Sequence, residues 1–323
     1  MEVIAVGASA GGLQPLRAIV AGLPGDFPAT LLVVLHVAAT GTSVLPQILG
    51  RAGEIEVVAA EDGLALRPGL VVVAQPDHHL LVDDGRVRLT RGPRENGHRP
   101  SIDPLMRSLA EGYGARAAGV IVSGTRDDGS LGLAEIKRRG GRAIVQDPEE
   151  AEYSGMPANA MAGTQVDAVL PVADIAPALV ALTHGERWAS TGPDPVPQFL
   201  AGGAPLTITC PDCGGVLTET DEGGMLHFRC HVGHAFSPRS LLALHAEGVE
   251  RAMWTAARSL EDRAMLLSRL ADRARAAQNL LAAVQFDTAA RDAETESHAI
   301  RDAIAALDDG FTADTPNGEE ITE

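Results

Sequence analysis

The chain is poor in aromatic residues, and this scarcity limits what its hydrophobic core can contain. Only 3% of its 323 residues are Phe, Trp or Tyr, whereas 45% are hydrophobic. Valine, leucine, isoleucine and alanine must therefore make the core. Because 323 residues exceed one typical domain, we expect a main domain with smaller appendages.

The chain also lacks a long hydrophobic run and an excess of positive charge. No stretch approaches the roughly 18 uninterrupted apolar residues of a membrane-spanning helix. The first apolar run, Val3 to Val6, is short and has no basic flank, which is not typical of a signal peptide. The net charge of −17 argues against nucleic acid or an anionic membrane as a partner. These absences predict a cytoplasmic protein without membrane insertion.

Apolar strands alternate with amphipathic helices over residues 1–184. Buried strands are predicted at 3–6, 31–35, 55–60, 117–122, 143–146 and 168–171. This rhythm is typical of a doubly wound, mainly parallel α/β sheet with helices on both faces. Within residues 69–91, three short apolar runs separated by turn residues predict antiparallel strands, a hairpin added to that sheet. Ser101 precedes an apolar helical pattern and is predicted to cap that helix.

A serine lies on the turn between the first predicted strand and the first helix. Small residues flank it in Gly7-Ala8-Ser9-Ala10-Gly11, as in a nucleophile elbow. The N-terminus of the following helix offers N–H groups to an oxyanion. The alternative is a glycine-rich phosphate loop. A dinucleotide loop, however, would have glycine at the position of Ser9, and its second strand would end in an acid where this chain has His36.

Three loops at the carboxyl edge of the predicted sheet carry the residue types of a hydrolase triad. Ser9 follows the first strand, His36 the second, and Asp127 and Asp128 follow the strand at 117–122. Taken singly, a histidine after a strand is usually structural, and an Asp-Gly pair is ordinary turn chemistry. Together on one edge they predict a nucleophile, a base and a carboxylate. The chain order Ser, His, Asp differs from that of α/β-hydrolases and indicates another family.

Five separated motifs recur in the order and spacing of a known family. They are Gly7-Ala8-Ser9-Ala10-Gly11-Gly12, Leu35-His36, Arg99-Pro100-Ser101-Ile102-Asp103, Asp128-Gly129 and Ser154-Gly155-Met156-Pro157. Together they resemble the catalytic domain of the chemotaxis protein-glutamate methylesterases, the CheB family, over residues 1–184. The resemblance implies a serine hydrolase without a catalytic cofactor that cleaves glutamate γ-methyl esters on methylated chemoreceptor-type helical proteins. It also permits glutamine deamidation.

The resemblance implies a role for each motif residue. Ser9 would be the nucleophile, His36 the base and Asp128 the carboxylate that orients the base, with Asp127 as its neighbouring competitor. The backbone N–H groups of two residues would hold the oxyanion; these residues are Ala10 and Thr125. Family members commonly have threonine where this chain has Ala10. They commonly have Gly-Met-Gly where this chain has Gly124-Thr125-Arg126. Backbone donors survive such side-chain changes.

Two further side chains are candidates for substrate contact. The resemblance brings the turn that carries His79 beside the site, although a structural or solvent-exposed role is the simpler interpretation. Arg99 could contact a substrate carboxylate, or it could form a cap or salt bridge near Asp103. The first strand begins at Val3, so the family's usual N-terminal receiver domain is not expected. A non-catalytic signalling module that binds a partner is the alternative function.

All three cysteines lie close together in the sequence. Cys210-Pro211-Asp212-Cys213 is followed by Cys230-His231-Val232-Gly233-His234. This spacing predicts a structural zinc in a zinc-ribbon-like module over residues 205–236, with His234 preferred to His231 as the fourth ligand. A thioredoxin-like redox pair is the rival, but no helix is indicated after Cys213. A disulfide is disfavoured in a reducing cytosol.

The remaining segments are predicted from composition and periodicity. Residues 185–204 are rich in Pro and Gly and predict a linker. Apolar residues between Leu241 and Leu270 recur at helical spacing, so residues 237–309 predict a helical hairpin that buries this stripe. We expect this hairpin to serve packing or self-association. Binding of a signalling partner is the more specific alternative. Residues 310–323 predict an acidic, disordered tail.

Overall fold

The structure is a computed structural model that describes residues 2–39, 43–184, 205–222 and 225–311. The predicted linker and residues 312–323 of the predicted tail lie outside these ranges. The chain divides into two compact units, one up to Ala243 and one from Leu244. No helix in the described ranges is long and apolar enough to cross a membrane.

The first 184 residues alternate between strands and helices. The strands are β1 (Val3–Ala8), β2 (Thr30–Leu35), β3 (Glu56–Ala59), β4 (Leu70–Val73), β5 (His79–Asp83), β6 (Arg86–Thr90), β7 (Ala117–Ile121), β8 (Arg142–Gln146) and β9 (Ala168–Leu170). The helices are α1 (Leu13–Gly22), α2 (Leu45–Gly50), α3 (Ile102–Tyr113), α4 (Ser130–Arg138), α5 (Gly155–Gly163) and α6 (Val172–Thr183).

Seven of these strands form one parallel sheet in the order β3-β4-β2-β1-β7-β8-β9. Alternate residues of β1 enter two separate cores: Val3 and Ala5 pack with α3, α4 and α5, while Ile4 and Val6 pack with α1, α2 and α6. The predicted α/β architecture with a mainly parallel sheet is therefore confirmed. The strand order reverses between β1 and β7, which is where open α/β folds form a crevice at the carboxyl edge.

The predicted hairpin at residues 69–91 is correct only in its second part. β5 and β6 pair antiparallel as a separate two-stranded sheet. The first of the three apolar runs, β4, instead joins the main sheet in parallel between β3 and β2. All four residues of β4 are buried, which fits a central strand covered on both faces.

A second, antiparallel sheet completes the first unit. Its strands, in both chain and spatial order, are β10 (Pro205–Thr209), β11 (Val216–Glu222), β12 (Met225–Cys230) and β13 (Ala235–Phe236). The turn after β10 carries Cys210 and Cys213, and the turn between β12 and β13 carries His234. The cysteines and this histidine therefore lie at one end of the sheet.

Two long helices follow, α7 (Pro238–Ala276) and α8 (Leu280–Phe311). Within the second unit they run antiparallel, and the Ser297 hydroxyl donates to the Ala257 carbonyl at 3.1 Å. Buried residues recur every seven positions, as in a coiled coil. They are Ala257, Ala264 and Ala271 on α7 and Ala283, Ala290, Ser297 and Ile304 on α8.

The expectation that α7 buries its stripe of large apolar residues is wrong for several of them. Leu242, Val249, Met265 and Leu266 are more than half exposed. Small alanine side chains occupy the contact line instead, and they let the two helix backbones approach closely. Alanine contributes little to a hydrophobic pattern, so the repeat is not evident from the sequence.

Candidate active site

Ser9 lies on the tight turn between β1 and α1, and β7 holds this turn in place. The Ser9 N–H donates to the Ser123 carbonyl at 3.0 Å, and the Ser123 hydroxyl donates to the Ala10 carbonyl at 2.8 Å. Gly11 has a φ of +68°, and a Cβ there would lie 2.7 Å from the Ser123 hydroxyl oxygen. The turn therefore requires glycine at this position.

His36 follows β2 and bridges two of the predicted site residues. Its backbone N–H donates to the Ala8 carbonyl at 3.1 Å, which extends the pairing of β1 with β2. Its ring Nδ1 lies 3.1 Å from Ser9 Oγ, and its Nε2 lies 2.7 Å from Asp128 Oδ2. With the proton on Nε2, the ring donates to the carboxylate and accepts the serine hydroxyl. The structure thus brings Ser9, His36 and Asp128 together.

Asp128 is buried and held by the N-terminus of α3. Its Oδ2 accepts the Ile102 N–H at 2.7 Å, and its Oδ1 accepts the Ser101 hydroxyl at 2.8 Å and the Asp103 N–H at 3.3 Å. Ser101 occupies the predicted N-cap position of α3, but its hydroxyl makes no cap bond to the helix and is turned to the carboxylate. The cap is the Asp128 carboxylate itself.

Asp103 makes the reciprocal contact with the N-terminus of α4. Its Oδ1 accepts the N–H groups of Gly129 and Gly132 at 3.0 and 2.7 Å. Asp128, two residues before α4, therefore caps α3, and Asp103, in the first turn of α3, caps α4. This exchange of carboxylates fixes the two helix starts against each other and so fixes the position of Asp128.

The pKa values of these two carboxyl groups are shifted in opposite directions. Burial alone would raise the pKa of Asp128, but the hydrogen bond from His36 and the N–H of Ile102 outweigh it and hold this pKa below its ordinary value. Burial raises the pKa of Asp103 well above its ordinary value, and the negative charge of Asp128 adds to that shift. Asp128 is consequently the carboxylate that is ionised beside His36.

Sequence reasoning missed two residues of the loop before α3. Asn96 is fully buried, and its Nδ2 donates to Asp128 Oδ1 and Asp103 Oδ2, both at 2.9 Å. The His98 ring stacks on the His36 ring with centroids 3.7 Å apart and planes 12° from parallel. Burial and the neighbouring His36 lower the pKa of His98 to about 3, so its ring is neutral at neutral pH. The loop has no helical or strand periodicity. Its place between two predicted elements was the available sign that these residues could belong to the site.

The predicted oxyanion donors lie on two turns that meet at Ser9. In the described residues neither the Ala10 N–H nor the Thr125 N–H donates to another protein group. The second turn approaches closely, because a Cβ on Gly124 would lie 2.8 Å from Ser9 Cβ and 2.1 Å from Met156 Sδ. Both N–H groups are thus available to a ligand.

The two candidates for substrate contact are engaged elsewhere. His79 is 3% exposed, and its Nε2 lies 2.9 Å from the Pro93 carbonyl, which suits the structural role that the sequence left open. Arg99 pairs with Asp77 through Nε at 2.9 Å, not with Asp103. Hydrogen bonds from Arg91 and Arg99 lower the pKa of Asp77 to about 2.

Asp127, the competitor of Asp128, points away from His36. Its Oδ1 accepts the hydroxyl groups of Ser237 and Ser240, both at 2.7 Å. Both serines belong to the segment that follows the cysteine-bearing sheet.

Three cysteines and one histidine form a compact cluster in the second sheet. Cys213 Sγ lies 3.7 Å from Cys230 Sγ, and His234 Nδ1 lies 3.5 Å from Cys230 Sγ and 3.7 Å from Cys210 Sγ. All four candidate ligand atoms lie within 4.8 Å of one another. The sulfur separation excludes a disulfide, whose bond length is about 2.05 Å. His231 is exposed and stands outside the cluster.

A parallel α/β sheet that presents Ser, His and Asp in hydrogen-bonding contact at its carboxyl edge has the arrangement of a serine hydrolase. The family described as CheB methylesterase matches residues 4–179. This match covers more than half of the chain, and the chain belongs to that family.

Relatives and a solved structure agree with this assignment. A protein-glutamate methylesterase/protein-glutamine glutaminase 3 of Anaeromyxobacter dehalogenans is 45% identical over 171 residues, which are 52% of this chain and 50% of the relative. A relative from Leptospira interrogans is 38% identical over 182 residues, 56% of this chain and 94% of that one. The crystal structure of the Thermotoga maritima CheB methylesterase catalytic domain aligns with a TM-score of 0.54 and 33% identity, covering 56% of this chain and 98% of that one. This chain spans about half the length of the Anaeromyxobacter relatives that it matches.

Proposed function

We propose that this protein is a protein-glutamate methylesterase. It hydrolyses glutamate γ-methyl esters on a methylated chemoreceptor-type helical protein and releases glutamate and methanol. The observation that carries the proposal is the unbroken chain of contacts from Ser9 through His36 to Asp128. The names of the relatives support the choice of ester and of substrate class.

The proposed reaction begins with proton transfer from the Ser9 hydroxyl to His36 Nδ1 as Ser9 Oγ attacks the ester carbonyl carbon. The carbonyl oxygen becomes an oxyanion, which the N–H groups of Ala10 and Thr125 stabilise. The tetrahedral intermediate then expels the methoxy group, which takes the proton from His36 and leaves as methanol. A glutamyl ester on Ser9 remains.

Water completes the cycle by the same route. His36 removes a proton from a water molecule, whose oxygen attacks the acyl carbon, and the returning proton restores the Ser9 hydroxyl. Asp128 keeps the second proton of the ring on Nε2 and stabilises the imidazolium that forms in each half-reaction. Glutamine deamidation follows the same steps, with ammonia in place of methanol as the leaving group.

Replacement of Ser9 by alanine tests this mechanism directly. The expected result is loss of nearly all methanol release from methylated receptor cytoplasmic domains, because no other hydroxyl in the described residues is hydrogen-bonded to His36. His36→Gln should be about as damaging, since serine and base act as a unit. Ser259→Ala removes a hydroxyl that bonds only to its own helix and serves as the matched control. An active Ser9→Ala enzyme would refute the mechanism.

The alternative is a non-catalytic module that binds a partner through the same fold. A binding module has no need for an ionised, fully hydrogen-bonded carboxylate beside His36, so the buried Asp128 network favours the enzyme. Wild-type protein that binds methylated receptor without releasing methanol would favour the module.

We also propose that Cys210, Cys213, Cys230 and His234 hold a structural zinc ion in a zinc-ribbon-like module. A tetrahedral zinc with Zn–S bonds of about 2.3 Å sets two thiolate sulfurs about 3.8 Å apart. The observed separation of 3.7 Å between Cys213 and Cys230 fits that geometry. The four ligands fill a tetrahedral shell, as in structural zinc sites, so the ion would stabilise this sheet and take no part in ester cleavage.

Metal analysis of purified protein tests the zinc proposal. We expect about one zinc per chain, and Cys230→Ser should release it and make residues 205–236 sensitive to protease. His231→Ala, at the exposed histidine beside the cluster, should retain the metal. Metal-free wild-type protein with a protease-resistant second sheet would refute the proposal.

A further inference from the structure

The short segment Ala235–Ser240, here called the clamp segment, joins the cysteine-bearing sheet to the back of the candidate active site. Within the first unit, the Asn96 N–H donates to the Ala235 carbonyl at 2.8 Å, and the Ala235 N–H donates to the Arg94 carbonyl at 3.3 Å. The Ser237 N–H donates to Asn96 Oδ1 at 2.9 Å. The loop that carries Asn96 and His98 is therefore bonded directly to the clamp segment.

The contact with Ser237 determines which way the Asn96 amide points. A backbone N–H can only donate, so the atom facing it must be the amide oxygen. The Asn96 NH₂ group is then turned to the opposite side, where its two hydrogens reach Asp128 Oδ1 and Asp103 Oδ2. The clamp segment thus acts on Asp128 through one buried side chain.

The clamp segment also holds Asp127, the neighbour of Asp128. Ser237 precedes α7 at the N-cap position, and its Oγ accepts the Ser240 N–H at 3.1 Å while its hydroxyl donates to Asp127 Oδ1. The Ser240 hydroxyl, fully buried, donates to the same oxygen. The positive end of α7 thus faces a buried carboxylate.

We propose that Ser237 and Ser240 are positioning residues for the triad carboxylate. They act from the clamp segment through Asp127 and Asn96, and they set the orientation of Asp128 toward His36. Asp127 and Asp128 are consecutive, so the peptide between them is fixed when one side chain is bonded to the start of α7 and the other to the start of α3. This inference rests on the proposed hydrolase site and adds a second part of the chain to it.

Loss of the two hydroxyls leaves a buried carboxylate without its donors. Burial raises the pKa of Asp127, and the hydrogen bonds from Ser237 and Ser240 oppose that rise. Without these donors the Asp127 carboxylate must either gain contact with water or take up a proton. The loop between β7 and α4 must shift to allow this. Asp128 moves with it, and its bond to His36 lengthens.

The test compares Ser237→Ala/Ser240→Ala with wild type and with Ser259→Ala, all as full chains. We expect kcat for methyl-ester hydrolysis to fall about tenfold with KM changed less than twofold, because the clamp segment acts through the triad carboxylate. The rate at which a fluorophosphonate modifies Ser9 should fall by the same factor. The downfield proton resonance of the His36 Nε2–H···Asp128 bond should shift or broaden in the double variant and not in the control.

A conservative variant keeps the proposal falsifiable if the double variant folds poorly. Ser237→Thr retains the hydroxyl and the N-cap, and it should restore both rates relative to Ser237→Ala. Equal rates in the double variant and the control, or no difference between Ser237→Ala and Ser237→Thr, would overturn the proposal. Fluorophosphonate modification needs no methylated substrate, so a wild-type protein that labels at Ser9 without releasing methanol would disprove the methylesterase function alone.

Discussion

Asp127 and Asp128 are adjacent in the chain but have different partners. Asp128 accepts from His36, whereas Asp127 accepts two serine hydroxyls through one oxygen. An asparagine at position 127 keeps a carbonyl oxygen for those hydroxyls. An asparagine at position 128 changes the partner of the His36 ring and favours the wrong tautomer.

Asp128→Asn should therefore lower the rate of ester hydrolysis by a factor on the order of 10⁴, and Asp127→Asn by at most about tenfold. Both substitutions remove one negative charge from the same loop, so each controls for the other. Methanol release under saturating substrate is the measurement. Equal losses would leave Ser9 and His36 in their roles but reject Asp128 as the third member.

His98 provides a pH-dependent prediction at the same scale. Its pKa in the folded protein is lowered to about 3, so the unfolded chain binds a proton at this residue first as the pH falls through about 6.5. The free energy of unfolding therefore decreases as the pH falls from 6.5 to 3. Between pH 7 and pH 5 the decrease is about 2 kcal/mol.

His98→Phe keeps a flat ring against His36 and removes the titrating group. Its free energy of unfolding should decrease about 2 kcal/mol less than that of wild type between pH 7 and pH 5, as measured by urea unfolding at both values. His231→Phe, at an exposed position, is the comparison variant. Identical pH dependence in His98→Phe and wild type would show that His98 is not the group responsible.

The proximity of Ser9, His36 and Asp128 could be predicted because each lies in a loop that follows a strand of the sheet. Parallel strands end at a common edge, which brings these distant positions together. Asn96 and His98 could not, since they lie in a loop whose path depends on the partners it finds. One partner of Asn96, Ser237, lies 141 residues away, and no local pattern indicates such a contact.

At the scale of elements, local patterns predicted which segments are strands better than they predicted how the strands pair. The run at 70–73 was recognised as a strand, but its short spacing to the next runs suggested a hairpin. Pairing is decided by burial: β4 is buried on both faces and needs a strand on each side, whereas β5 and β6 form a separate pair. The exchange of carboxylate caps between α3 and α4 likewise depends on tertiary contact.

The turn between β7 and α4 gives a test of how closely two elements must meet. Gly124→Ala would put a methyl group 2.1 Å from Met156 Sδ and 2.8 Å from Ser9 Cβ, so the turn must move away from Ser9. We expect ester hydrolysis to fall about 100-fold, as for other small displacements of catalytic groups. Fluorophosphonate labelling of Ser9 and methanol release measure the effect.

Gly112→Ala is the matched control, because a Cβ at this exposed position of α3 meets nothing within 4 Å. It should leave activity unchanged and raise the free energy of unfolding by up to about 1 kcal/mol through helix propensity. Full activity in Gly124→Ala would show that the turn is not needed in its present position and would argue against Thr125 as an oxyanion donor.

At the scale of the whole molecule, the first 184 residues hold the proposed catalytic groups, and the clamp segment supports them from a distant part of the chain. Asn96 and Asp127 both have partners between Ala235 and Ser240. His234 immediately precedes this segment and belongs to the candidate zinc site. If the cluster holds zinc as proposed, removal of the ion should lower turnover through the position of Asp128.

Two shortened chains separate this support from an inhibitory role of the same region. A chain ending at Gly248 keeps the clamp segment and two further turns of α7, and it should hydrolyse methyl esters at nearly the wild-type rate. A chain ending at His184 lacks the donors to Asp127 and the Ser237 N–H that orients Asn96, and its kcat should fall about tenfold or more. Circular dichroism at rising temperature checks that each chain is folded. If the region instead covered Ser9, the chain ending at His184 would be the faster enzyme, and that result would reject the supporting role of the clamp segment.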